Sequence, residues 1–143
     1  MNLTPDSFGE ICKQSAFISA LVAGFSFAFL GVLLVSSAKK KVTDWIMAFS
    51  ILSIAGLLIC SLAWTLCASR MALLSGSNTN QVPQTILELH KSLSVIFISS
   101  FFFFLVTLGL SGWIRSRTLG LISTLISIAA TLLFISIMRH FIL

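Results

Sequence analysis

Charged residues along this chain fall into bands separated by long uncharged runs. Residues 14 to 38 carry no Asp, Glu, Lys or Arg, and neither do residues 45 to 69, 92 to 114 or 118 to 138. The runs are 25, 25, 23 and 21 residues long. Each reaches the roughly 20 residues, at about 1.5 Å of rise apiece, that an α-helix needs to cross about 30 Å of hydrocarbon. None shows the ten-residue apolar and polar alternation of a transmembrane β-barrel, and an open strand in lipid would leave its backbone unpaired. The pattern predicts an all-α polytopic membrane protein, a single four-span domain with helices near 13–38, 44–69, 91–113 and 118–139, packed as a four-transmembrane-helix bundle and oligomeric.

Composition agrees and narrows the function classes. Apolar side chains make up 57% of the 143 residues and charged ones 9%, far below the quarter or so of a soluble domain. Little chain lies outside the runs, so there is no room for a soluble catalytic domain. The net charge of +5 collects at helix ends, where it meets lipid headgroups; nucleic acid is not an expected partner. Asp6 and Glu10 precede Lys13, and the first run is longer than a signal-peptide core, so it is expected to persist as helix 1.

With four spans, both termini and the 70–91 loop share one side, and the two short turns share the other. Lys39, Lys40, Lys41, Arg115 and Arg117 crowd the turns. By the positive-inside rule this favours placing "KKKVTD" and "RSR" in the cytoplasm of a plasma (inner) membrane, with both termini outside. The intervening "MALLSGSNTNQVPQTILE" reads as an irregular turn leading through Pro83 into helix 3. An echo between "EICK" at 10–13 and "ELHK" at 88–91, with Gly31 matched to Gly109, hints at duplicated hairpins and carries no functional claim.

Small residues pattern the helices. Ala16, Ala20, Gly24 and Ala28 recur every fourth position of helix 1, predicting one face for close helix packing. Helix 2 has a comparable stripe of Ser53, Gly56, Cys60, Ala63 and Cys67, and helix 4 offers Ser123, Ser127, Ala130 and Thr131. Their hydroxyls can bond their own helix and need no ligand. Phe101 to Phe104, at about 100° per residue, must surround helix 3. Trp45, Trp113 and Trp64 lie near span ends and are read as interface anchors.

Candidate chemistry is sparse. The spans hold no Asp, Glu, Lys, Arg or His in their interiors, which argues against a proton relay, a carboxylate filter or a coupled transporter. Glu10, Cys12, Cys67, Glu88, His90 and His140 gather at one membrane face, where Cys and His with carboxylates can bind zinc, or Cys12 and Cys67 can bridge. No metal-ligand spacing accompanies them, and the simpler reading is small apolar thiols with headgroup-level histidines. There is no CxxC, nucleophile elbow or phosphate loop, so no enzyme, cofactor or metal is expected.

The segment "SALVAGFSFAFLGVLL", Ser19 to Leu34, with its run Ser19, Ala20, Leu21 followed by Gly24 and Phe25, resembles the first, pore-lining helix of the Orai family of calcium channels. The four-span plan with a longer second loop is similar too. The resemblance implies a ring of subunits with helix 1 innermost. Ala16, Ala20, Gly24, Phe25, Ala28, Gly31 and Val32 would then line a pore or pack behind it. Val32, beside Gly31, stands where the family's selectivity glutamate belongs, and the basic residues below its gate reduce to Lys13. Calcium selectivity is therefore not implied. Two functions follow as expectations: a homo-oligomeric channel-like assembly conducting monovalent ions, or a non-conducting structural subunit of a larger membrane complex. The partners are the lipid bilayer and either further copies or another membrane protein.

Overall fold

A computed structural model of the protein describes residues 4–35, 41–75 and 82–142. They form four helices in chain order, α1 (Pro5–Val35), α2 (Lys41–Ser75), α3 (Gln84–Arg115) and α4 (Arg117–Ile142). All four are long and apolar enough to cross a membrane. The chain is thus all-α and multi-pass, and an integral membrane protein by its architecture.

The helices overrun the uncharged runs at one end. α1, α2 and α3 hold 31, 35 and 32 residues, or about 45 to 50 Å each. Their excess over the hydrocarbon thickness lies largely where α1 begins, α2 ends and α3 begins, so helix there continues past Lys13, Arg70 and Lys91. α1 starts where local chemistry allows: Thr4 receives the Ser7 amide on its hydroxyl (3.4 Å) and the Phe8 amide on its carbonyl (3.1 Å). Pro5 fills the first helical position, where a missing N–H costs nothing, and Asp6 meets the positive end of the dipole.

α1 packs on α2, α2 on α3 and α3 on α4, with a slight approach of α1 to α3 and, among the described residues, no close backbone approach of α1 to α4. The bundle is therefore open along one seam. Its most deeply buried apolar cluster, including Phe8, Cys12, Cys60, Trp64, Cys67, Met71 and Leu93, sits at the overrunning end of α1, α2 and α3.

The seams are polar at intervals, and α3 supplies the acceptors. From α2, Ser53 Oγ donates to Ser100 O (2.9 Å) and Cys60 Sγ to Leu93 O (3.5 Å). From α4, Ser123 Oγ donates to Gly109 O (2.8 Å) and Ser127 Oγ to Leu105 O (2.6 Å). Small side chains let backbones approach until a hydroxyl spans the gap, and hydrocarbon offers those hydroxyls no other partner. The stripes expected on α2 and α4 are thus the surfaces through which those helices grip α3. The phenylalanine run divides around α3 as its angular spread requires. Phe103 stacks on Phe49 of α2 (5.8 Å), Phe101 meets Phe134 of α4 (4.8 Å), and Phe102 faces outward.

A single residue, Ser116, joins α3 to α4. It is extended (φ −158°, ψ 159°), and its hydroxyl accepts from the Leu119 amide (3.1 Å), capping α4. So tight a turn forces the helices together, and glycine clears the way. A methyl group on Gly112 would collide with Leu119 O and Ser123 Oγ, and one on Gly120 would enter the Trp113 indole. That indole in turn donates to Thr124 Oγ1 (3.0 Å).

Candidate functional site

Two features present themselves: the outward face of α1, and the aromatic cleft beside α1 at the overrunning end.

From Cys12 onward the buried positions of α1 are Cys12, Ala16, Ser19, Ala23, Ser26 and Leu33. From Ala16 to Ser26 they alternate steps of three and four, and Leu33 follows one heptad on, the spacing of helices at a shallow crossing angle; this is the seam filled by α2. Ser19 and Ser26 turn their hydroxyls onto Ser15 O (2.8 Å) and Val22 O (2.9 Å) of their own helix. The face chosen by strict fourfold spacing is a different one. Each step of four overshoots a turn by about 40°, so a ladder that starts at Ala16 drifts by about 120° on reaching Ala28. Ala16 is buried against the protomer, whereas Ala20, Gly24, Ala28 and Gly31 are exposed.

Around those small residues stand Phe17 (68% exposed), Phe25 and Val32. No polar side chain is exposed between Ser15 and Val35. Phe25 and Val32, expected near a pore, point away from the protomer core.

The glycines separate into two kinds. Gly9, Gly56, Gly109, Gly112 and Gly120 each lie where an added Cβ would press on a neighbouring side chain or helix. Gly24 and Gly31 have nothing within 4 Å, and no described glycine has positive φ. Neither close approach nor backbone conformation within the protomer accounts for this pair.

The basic residues expected at the turns divide by position. Lys39 and Lys40 lie outside the described residues. Lys41 opens α2, Arg115 closes α3, and Arg117 opens α4 with its side chain exposed.

Of the polar cluster, Cys12 and Cys67 are buried and unbridged. Among the described residues no group of three His, Cys, Asp or Glu converges to hold a metal ion. Glu10 is exposed and pairs with Lys13 one turn on (2.7 Å), Glu88 is exposed, and the His140 side chain lies outside the described positions. His90 is half-buried and turns to aromatic partners: Trp64 Nε1 donates to its Nδ1 (3.2 Å), and Phe8 meets its ring edge-on (5.2 Å). Trp64 is 3% exposed, so it is a core residue rather than an interface anchor. Position near a span end misleads here because α2 runs on for three more turns to Ser75. Trp45, 64% exposed, does face outward.

Beside this pair a cleft of about 190 Å³ opens in the gap between α1 and α4. It is lined by Ser15 and Ile18 of α1, His90, Ser94 and Phe97 of α3, and Phe134 of α4, with Trp64 behind. Sequence reasoning grouped His90 with carboxylates at a membrane face; its true partners are aromatic and were not legible from charge. Comparison with known protein families, with characterised proteins and with solved structures finds no match to this chain.

Proposed function

We propose that copies of this chain assemble through the outward face of α1 into a homo-oligomer that is channel-like in plan. The observation that carries the reading is the pair Gly24 and Gly31, seven residues apart on one exposed face with no partner in the protomer. A glycine inside a helix costs about 1 kcal/mol relative to alanine. In membranes such residues permit helix backbones to meet, and the occupant that fits a repeat matching itself is a second α1. This is also the arrangement the resemblance to Orai channels implies, with α1 innermost. A lumen lined by this face would be apolar throughout, so it would gate by wetting, pass monovalent ions, and lack a carboxylate ring for calcium.

The same apolarity favours a second reading. With Ser19 and Ser26 turned into the α2 seam, the α1 face offers no polar atom to a permeating ion. A non-conducting assembly subunit would need none.

Cysteine placed singly at positions 24 and 31, in a chain whose three native cysteines are replaced, separates the cases when combined with liposome flux. The assembly requires a disulfide-linked dimer at both positions and none at the lipid-facing control Leu125. Potassium or chloride flux altered by Gly31→Trp supports conduction. Crosslinking without flux supports the structural subunit, and absence of crosslinking defeats the assembly.

A further inference from the structure

The cleft between α1 and α4 is built to give hydrogen bonds. An indole nitrogen can only donate, so the bond from Trp64 Nε1 makes His90 Nδ1 the acceptor and places the neutral ring's proton on Nε2. Among the described residues nothing accepts that proton. Ser15 lines the same cleft, and its hydroxyl likewise makes no bond to a described residue, Ser19 Oγ meeting the Ser15 carbonyl instead. Ser94, the third polar lining residue, spends its proton on His90 O (2.8 Å). Two unspent donors therefore share one opening.

Their depth identifies what they meet. Ser15 and His90 stand at the margins of the uncharged runs, two residues beyond Lys13 and one before Lys91. Below them the walls are apolar: Ile18, Phe97 and Phe134, with Phe97 about 10 Å deeper along α3 than His90. Among the described residues the α1 and α4 backbones do not approach closely, so the cleft faces the bilayer laterally. Donors at the level of the headgroup boundary above an apolar slot match a molecule with carbonyl oxygens at one end and a hydrocarbon chain at the other.

We propose that this cleft binds one glycerolipid of the surrounding bilayer, its ester carbonyls accepting from His90 Nε2 and Ser15 Oγ and one acyl chain lying along Ile18, Phe97 and Phe134. The site is independent of the α1 assembly, because Ser15 and Ile18 lie on the side of α1 away from Gly24 and Gly31. Lipid held here closes the seam that the four helices leave open.

The test uses the full chain in micelles containing equal amounts of a diester phosphatidylcholine and its diether analogue, which has the same chains and headgroup but no carbonyls. Native mass spectrometry reads the lipid retained. The wild-type chain is expected to keep one lipid per protomer, with diester favoured roughly three- to tenfold, the effect of one or two net hydrogen bonds. Ser15→Ala with His90→Phe brings the preference close to one. Ile18→Trp, a change at a half-exposed position that fills the slot, abolishes retention of both lipids. Equal retention of the two lipids by the wild type, no retained lipid, or a preference that survives the double substitution overturns the proposal.

Discussion

Gly24 and Gly31 share one outward face of α1, and neither has a protomer atom within 4 Å of where its Cβ would stand. Enlarging them therefore costs an isolated protomer nothing in packing. Gly24→Leu with Gly31→Leu is expected to leave helicity and unfolding of the monomer unchanged or improved by up to about 1 kcal/mol per site. The same pair should convert an assembled species to monomers. Circular dichroism with light scattering in detergent reads both quantities, and an oligomer that persists would place the interface elsewhere.

Gly120 and Gly56 behave in the opposite way. A side chain at Gly120 enters the Trp113 ring, and one at Gly56 meets Ser100. Gly56→Leu and Gly120→Leu are expected to destabilise the chain by about 1 to 3 kcal/mol through overpacking, measured by SDS-induced unfolding in mixed micelles. Gly31→Leu in the same assay is the control that should show no loss.

Ser50 and Ser53 lie one turn apart on α2 and are both buried, yet their hydroxyls fare differently. Ser53 bonds Ser100 O at 2.9 Å, whereas Ser50 Oγ has no partner among the described residues. Ser53→Ala is expected to cost about 0.6 kcal/mol, the usual worth of such a bond between membrane helices. Ser50→Ala removes an unpaid desolvation and should be neutral or stabilising. Equal losses at both sites would contradict the assignment.

The three cysteines are at most 4% exposed. In the folded chain, Cys12, Cys60 and Cys67 are expected to resist maleimide for hours and to react completely after SDS denaturation. Rapid labelling of any one under native conditions would show that its seam opens.

What could be read from sequence divides along physical lines. Charge-free runs report spans directly, because the cost of burying charge in hydrocarbon dominates every local preference. The α2 stripe from Ser53 to Cys67 was legible because small and polar residues there alternate three and four apart. On α1 the fourfold ladder of small residues leaves, after Ala16, the positions that α2 covers, which step by three and four from Ala16 to Ser26. Ser19, Ala23 and Ser26 carry the spacing of the α2 seam. Trp64 was misplaced because a charge such as Arg70 marks where hydrocarbon ends rather than where helix ends.

Each helix rests chiefly on the one that precedes it in the chain, and this bears on how the protein is made. As segments leave the ribosome and enter the bilayer, α2 finds α1 already in place, α3 finds α2, and α4 finds the carbonyls of Leu105 and Gly109, whose second lone pairs accept its hydroxyls. Most packing joins helices consecutive in the chain, and contacts such as that of Phe8 with His90 are added when α3 arrives, so insertion and packing can proceed largely in step. The last helix also completes the wall of the α1 and α4 cleft, so the slot does not exist until synthesis reaches Phe134.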